Sequence, residues 1–334
     1  KARTMIYRKL GNSNLQVSCI GLGTWAIGSG SDWGQSDEAE SIKAIRASVE
    51  RGINLIDTAP CYNFGHSEEV VGKAIKGIRD KVIISTKCGV WWQSDVGNPF
   101  YEIDNVTMHR SLKPETIRKE IEFSLQRLKT DYIDIYHTHW PDPSTPIDET
   151  VDCLLSLQKE GKIRYIGVSN CYHKEYKDYE SLCNIVSHQI KYSMLDRKIE
   201  KEILTDCIDL NIGVIAYSSL EQGALSGKCK DKKQFGSEDI RNSNVWFKDN
   251  KRQVIDYVMK LLKPYAEKYQ CTIAQLVIAW TFRRTGITSV LCGARVQTDA
   301  IENVEAVDIK ITSEDLEYIT TQTELRGLVK KAYL

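Results

Sequence analysis

Short apolar runs alternate with longer amphipathic segments along nearly the whole chain. The runs at 19–24 (CIGLGT), 54–58 (NLIDT), 82–87 (VIISTK), 132–139 (YIDIYHTH), 163–169 (IRYIGVS), 186–190 (VSHQI), 213–217 (GVIAY) and 288–292 (TSVLC) read as strands. They are short and several are rich in Val and Ile, as strands covered on both faces should be. Between them, residues 37–51 place Ile42, Ile45 and Val49 on one face and charges on the other, and Gly52 then stops the helix. Residues 113–128 repeat this plan, with Pro114 tolerated in the first turn. Further helices are expected over 67–77, 147–160, 198–210, 250–269, 272–283, 298–306 and 313–322.

Eight strands alternating with helices imply a parallel sheet. No internal linker rich in Pro, Gly or Ser divides the chain. The expected fold is therefore α/β, one (β/α)8 TIM barrel spanning the 334 residues as a single domain. Residues 5–18 differ: two alternating runs flank Gly-Asn-Ser-Asn, a β-hairpin signal, and in a barrel this hairpin would plug the N-terminal end. The first four residues, Lys-Ala-Arg-Thr, precede Met5 and read as an addition ahead of the natural start. Two connections, 88–112 and 218–249, are too long for plain turns. Both follow a strand, so both fall on the C-terminal face where barrel enzymes keep their sites. Their aromatic residues, Trp91, Trp92, Phe100 and Tyr101 in the first and Trp246 and Phe247 in the second, suit a lid or pocket wall. The tail 325–334 has three readings: a cover for the pocket, a contact with a neighbour, or a frayed end.

Charge removes some function classes. Lys plus Arg and Asp plus Glu balance at 45 each, which argues against a dedicated nucleic-acid or polybasic membrane binder. No apolar stretch reaches the roughly 18–20 residues of a membrane span, and no signal-peptide pattern opens the chain. The 10 cysteines lack CxxC pairs and read as reduced, mostly buried thiols of a cytoplasmic protein.

The strand ends carry the candidate chemistry. Asp57 ends the second strand, with Tyr62 in the loop beyond it; Lys87 ends the third and His139 the fourth. Each has an ordinary alternative: a helix cap for the Asp, packing for the Tyr, a satisfied core position for the His. A lysine in a barrel mouth is harder to set aside, because a buried unpaired ammonium costs several kcal/mol and so calls for a carboxylate, here Asp57. Together the four suit proton donation. A free phenol has a pKa of about 10, and an ammonium beside Tyr62 is expected to lower it by about 1–3 units. A neutral His139 would donate to a carbonyl oxygen and aim it at Tyr62. No side chain supplies hydride, so a cofactor must.

Five ordered motifs resemble the aldo-keto reductase superfamily. Asp57-Thr-Ala-Pro-Cys-Tyr62 followed by Gly65-His-Ser-Glu-Glu69 resembles its DTAxxYG…SE segment, and Lys87 at the end of VIISTK resembles the family lysine. Asp134-Ile-Tyr-His-Thr-His139, Gly167-Val-Ser-Asn170 and the QIKYS segment from Gln189 are similar to the motifs that follow. The match runs from about residue 5 to 322 and is nearest the bacterial-type branches close to the potassium-channel β-subunit-like reductases. The resemblance implies a catalytic tetrad of Asp57, Tyr62, Lys87 and His139. It implies NADP(H) in preference, with NAD(H) as the alternative, extended over the barrel mouth. Gly23, Thr24 and Trp25 would underlie that cofactor. Ser169, Asn170 and Gln189 would grip its carboxamide, and Tyr217 would stack on the nicotinamide ring. Ser218, Leu220, Gly223 and Lys228 would meet the pyrophosphate, and Gly293, Ala294, Arg295, Glu302 and Asn303 the adenosine end. Arg295 suits a 2′-phosphate because its planar fork matches phosphate oxygens. Asp299 stands where the family often has Gln or Arg, and an acid facing inward there would oppose that phosphate. Asn63 stands where Gly commonly follows the tyrosine and is expected to change only the turn.

Other signals weigh less. Gly21-Leu-Gly23-Thr-Trp-Ala26 matches the loose dinucleotide fingerprint, but the fingerprint needs a helix next and a loop-like segment follows. His137 and His139 form a spacing suited to a metal pair, yet further ligands are unclear even with His188, so no metal is expected. Cys61 reads as packing, with a nucleophile or redox sensor as the alternative. The leading reading is reduction of an aldehyde, ketone or sugar carbonyl with Tyr62 as general acid. The rivals are a non-catalytic NADP(H)-binding regulatory barrel and a metal-dependent hydrolase. Candidate pocket walls are Trp25, Trp33, Trp91, Trp92 and Trp140. The expected partner is a small carbonyl or sugar substrate, with the chain a monomer or homo-oligomer.

Overall fold

The computed structural model describes residues 5–228, 235–237 and 239–324. Residues 1–4, the tail 325–334 and part of the 218–249 connection lie outside the described residues. The chain opens on an antiparallel hairpin, β1 (Tyr7–Lys9) and β2 (Gln16–Ser18). Then follow β3 (Ile20–Gly23), α1 (Glu38–Glu50), β4 (Leu55–Asp57), α2 (His66–Ala74) and β5 (Ile83–Cys88). A three-stranded antiparallel sheet, β6 (Val90–Trp91), β7 (Asn98–Ile103) and β8 (Val106–Arg110), interrupts the alternation. It resumes with α3 (Pro114–Leu128), β9 (Ile133–Thr138), α4 (Ile147–Lys159), β10 (Ile163–Ser169), α5 (Glu175–Leu182), β11 (Ile185–Lys191), α6 (Ile203–Asp209) and β12 (Gly213–Tyr217). The last elements are α7 (Arg252–Lys268), α8 (Ile273–Phe282), β13 (Ile287–Gly293), α9 (Gln297–Glu305) and α10 (Ser313–Gln322).

Strands β3, β4, β5, β9, β10, β11, β12 and β13 close into a parallel barrel in that order, β13 pairing back onto β3. This is the expected (β/α)8 barrel, and its eight strands are those expected from the sequence. Local signals explain the helix limits. The Asp37 carboxylate accepts the Glu40 N–H at 2.9 Å and starts α1, while Gly52, at φ +98°, turns the chain out of it. Thr272 and Gln275 form a reciprocal capping box at the start of α8. Two elements depart from expectation. Residues 175–182 form α5, and most of 90–110 is a sheet rather than an irregular loop.

The apolar core has two shells. The outer one lies between strands and helices. The inner one sits at the floor of the barrel: Leu10, Leu15 and Val17 of the hairpin region pack on Leu55, Ile83, Ile135, Val186, Ile215 and Leu291. The hairpin thus plugs the bottom. Its approach is so close that a Cβ on Gly11 would stand 2.4 Å from the Val186 carbonyl oxygen, and Gly11 holds φ +49° besides.

Candidate active site

Side chains alternate along a strand, so Ser85 and Lys87 of β5 both face the lumen. Lys87 is fully buried, and Asp57 at the end of the neighbouring β4 is 2% exposed. The three ammonium protons of Lys87 have three acceptors: Asp57 Oδ2 at 2.7 Å, the Thr58 carbonyl at 2.8 Å and the Tyr62 hydroxyl oxygen at 3.2 Å. Tyr62 accepts from the lysine, which leaves its own O–H free to donate elsewhere. The other Asp57 oxygen accepts from Ser85 Oγ and Gln189 Nε2, both at 2.7 Å. The carboxylate is therefore saturated as well as paired, the condition under which a buried ion pair is tolerated.

The network runs deeper. Ser85 also meets His137 Nδ1 at 3.2 Å, and His137 Nε2 meets Ser187 Oγ at 2.8 Å. Both nitrogens of His137 are thus occupied by hydroxyls. Among the described residues no group of three or more His, Cys, Asp or Glu is placed to hold a metal ion. His188, the other proposed helper, is buried, and its Nε2 accepts the Cys171 N–H at 3.3 Å.

His139 follows β9. Its N–H donates to the Cys88 carbonyl at 2.8 Å, and its carbonyl accepts from Asn170 Nδ2 at 2.9 Å. The ring stands edge-on to Tyr62, centroids 6.1 Å apart at 80°. Burial, then Lys87 and His137, hold its pKa well below the usual histidine range, so the imidazole is neutral, as expected. The phenol departs from expectation. Burial, with Asp57 next, pushes the Tyr62 pKa well above 10 instead of letting the nearby ammonium lower it. Tyr62 therefore holds its proton throughout the neutral range. That suits an acid waiting for an oxyanion, not a preformed phenolate.

The Tyr62 loop is fixed from below. Ser67 Oγ donates to the Thr24 carbonyl at 2.9 Å, and buried Glu68 binds Arg127 Nε and Thr86 Oγ1, both at 2.7 Å. Asn63 and Phe64 adopt φ +47° and +51°. Asn tolerates this left-handed region better than most residues, which explains how Asn63 serves where Gly is common.

Of the expected pocket walls, Trp25 touches the four residues directly, at Tyr62. Trp25 stacks on Tyr62 at 6.1 Å and 25°, and Trp33 meets Trp25 edge-on at 5.4 Å. Trp92 contacts Phe64 at 5.9 Å, and Trp140 contacts Phe100 at 5.4 Å. Trp91 is 4% exposed, lies 6.3 Å from Trp92 and stacks on Phe123 of α3.

Most of the proposed cofactor residues fall at or just beyond consecutive strand ends, while Glu302 and Asn303 lie on α9. Ser169 Oγ donates to the Gln189 carbonyl at 2.8 Å, and Tyr217 OH donates to Asn170 Oδ1 at 2.7 Å. Asn170 and Ser218 both hold positive φ, +58° and +57°. Leu220 and Gly223 lie in the turn that follows. Lys228 reaches Glu302 at 3.0 Å, and Asn303 Nδ2 donates to the Gly293 carbonyl at 2.9 Å. Ala294 is buried beside Gly293. Arg295 donates to the carbonyls of Trp33 and Gln35, tying the end of β13 to the loop after β3. The Asp299 carboxylate accepts the Arg295 backbone N–H at 3.2 Å. Thr24 closes the β3 end, its N–H and hydroxyl both donating to the Asp57 carbonyl. Gly23 and Gly293 face each other across the β3–β13 pair. A Cβ at Gly293 would meet nothing nearer than the Gly23 oxygen at 4.0 Å, and one at Gly23 only Leu291 Cβ at 3.6 Å. Bare backbone flanked by polar ends fits an extended dinucleotide.

Sequence reasoning passed over Ser85, Ser187 and Thr58. The period of two points to Ser85, two residues before Lys87, but Ser187 and the Thr58 carbonyl become visible only once the strands are in register.

The profile of the Aldo/keto reductase family matches residues 19–324. The chain belongs to the aldo/keto reductase family. It is 42% identical over 312 residues, 92% of this chain and 94% of the relative, to the NADH-specific methylglyoxal reductase of Escherichia coli K12. The glycerol dehydrogenase AKR11B4 of Gluconobacter oxydans superposes with a TM-score of 0.85 at 32% identity, over 96% of each chain. An aldo/keto reductase of Klebsiella pneumoniae solved with NADP and acetate superposes with a TM-score of 0.71 at 27% identity, over 96% of each chain. As an aldo/keto reductase, the chain is an oxidoreductase. Among its described residues no helix is long and apolar enough to cross a membrane.

Proposed function

We propose that this aldo/keto reductase reduces a small aldehyde, ketone or sugar carbonyl at the expense of NADP(H) in preference, or NAD(H), with Tyr62 as the proton donor. The observation that carries the reading is the Lys87 ammonium shared between Asp57 and the Tyr62 oxygen at 2.7 and 3.2 Å. The bound nicotinamide supplies hydride. The protein's own residues handle the oxygen. Neutral His139 donates to the carbonyl and orients it. Tyr62 then gives its proton as negative charge builds on that oxygen, and the adjacent ammonium stabilises the phenolate left behind. Asp57, held by Ser85 and Gln189, keeps Lys87 charged and in place.

Ser169, Asn170, Gln189 and Tyr217 are assigned to the nicotinamide end, with Trp25 and Gly23 beneath it. Ser218, Leu220, Gly223 and Lys228 are assigned to the pyrophosphate. Gly293, Ala294, Arg295, Glu302 and Asn303 are assigned to the adenosine. The fork of Arg295 favours a 2′-phosphate, while Asp299 beside it leaves NADH as the alternative. Trp25, Trp33, Trp91, Trp92 and Trp140 frame a substrate pocket of the kind that small oxygenated compounds use. Relatives named for methylglyoxal and for glycerol support that substrate class. The test is turnover of a panel of such carbonyls with NADPH and NADH in parallel, for the wild type and Tyr62→Phe. Steady turnover abolished by the substitution supports the reading. A folded Tyr62→Phe with near-normal turnover would end it.

A further inference from the structure

Cys61 immediately precedes Tyr62, and its sulfur lies 3.6 Å from Nδ1 of His139. We propose that Cys61 is a positioning residue: its thiol donates to Nδ1, fixes the imidazole as the tautomer protonated on Nε2, and reserves that N–H for the substrate oxygen. The proposal rests on the reading above, in which His139 faces the reacting carbonyl.

A neutral imidazole has one donor and one acceptor, and whatever occupies one nitrogen decides what the other can do. Here every other hydrogen bond of His139 is made by its backbone: the N–H to Cys88 and the carbonyl from Asn170. Among the described residues no protein group takes Nε2, so the sulfur is the one hydrogen-bonding partner the ring has. The thiol is suited to give a proton rather than receive one. A thiol carries one S–H and a weakly accepting sulfur, and the imidazole nitrogen beside it is the stronger acceptor of the pair. Burial pushes the Cys61 pKa up to about 12, so the group is a thiol and not a thiolate at neutral pH.

The contact is tested by substitution with two readouts on the cofactor-loaded protein. Cys61→Ala removes the donor, whereas Cys61→Ser keeps one. Nitrogen NMR of histidine-labelled protein, with the His139 signals identified by their loss in His139→Asn, reports which ring nitrogen carries the proton. The wild type and Cys61→Ser should show Nδ1 as the acceptor. Cys61→Ala should show His139 signals moved toward mixed tautomers, with kcat/KM down about 3–10-fold, the range a single modest hydrogen bond commands. Cys61→Ser should stay within about 2-fold of wild type. The proposal is overturned if Cys61→Ala leaves the His139 spectrum unchanged, or if Cys61→Ser falls as far as Cys61→Ala, which would make the residue packing alone. A protein that turned over no carbonyl would remove the reductase reading, and the spectrum would still decide whether the thiol sets the tautomer.

Discussion

The floor and the mouth of the barrel use the same strands, one pleat apart. Leu55, Ile83, Ile135, Ile215 and Leu291 belong to the apolar floor. Two residues further along those strands stand Asp57, Ser85, His137, Tyr217 and Gly293, and Lys87 lies two beyond Ser85. A pleat of two residues is roughly 6.5 Å. Over that distance the lumen changes from hydrocarbon to a hydrogen-bonded layer containing a buried ion pair. The lower layer can afford to be generic, since any well-packed set of similar volume would do. The upper layer cannot, because each of its polar atoms is matched to a named partner. Loss at the floor should be felt as stability alone, and loss at the mouth as chemistry with or without stability.

Substitutions can break or sharpen this contrast. The largest effect is expected for Tyr62→Phe: a fall in kcat of about 10²–10⁴-fold, with a loss in urea unfolding of no more than about 1–3 kcal/mol, because one of the three acceptors of Lys87 goes with the hydroxyl. Lys87→Met should affect both properties. It strands Asp57 in the lumen and is expected to cost about 3–5 kcal/mol in urea unfolding, together with most of the turnover. Leu15→Ala, at the floor, is expected to cost about 2–5 kcal/mol while kcat/KM stays within about 2-fold; a collapse of turnover in the folded variant would mean the two layers are coupled.

Acid should act mainly through the upper half. His188, pushed down to about 3 by burial, stays neutral when folded, whereas in the unfolded chain it takes a proton near 6.5. Its folded pKa is lowered, so the unfolded state binds more protons between those values, and stability falls as pH drops below 6.5. At pH 5 this single residue removes about 2 kcal/mol, and His137 and His139 act in the same direction. Urea unfolding at pH 7 and pH 5 measures it, and a flat profile would mean that these rings titrate normally. The smallest effect is the one expected at Cys61.

Much of this was legible in the sequence, for physical reasons. The barrel strands stand out because burial on both faces makes them largely apolar, and Asp57, Lys87 and His139 because they sit at or just past strand ends, with Tyr62 in the loop after the second. α5 was missed because its sequence, EYKDYESL, buries little beyond Tyr176 and Tyr179 and so lacks a clear apolar stripe. The sheet over β6–β8 was missed because its β7 alternation is weak and largely exposed. The direction of the Tyr62 shift was missed because proximity of a charge can be guessed from order along the chain, but depth of burial cannot. Trp91 and Trp92 look equivalent on paper; the fold buries Trp91 more deeply.

Side chains fill this barrel from the hairpin up to the ion pair, which leaves the strand ends as the one approach to Tyr62. Reactant and product must use the same passage, so a product slow to depart obstructs the next arrival. Traffic through that passage sets a ceiling on the catalytic cycle that no improvement in proton transfer can lift.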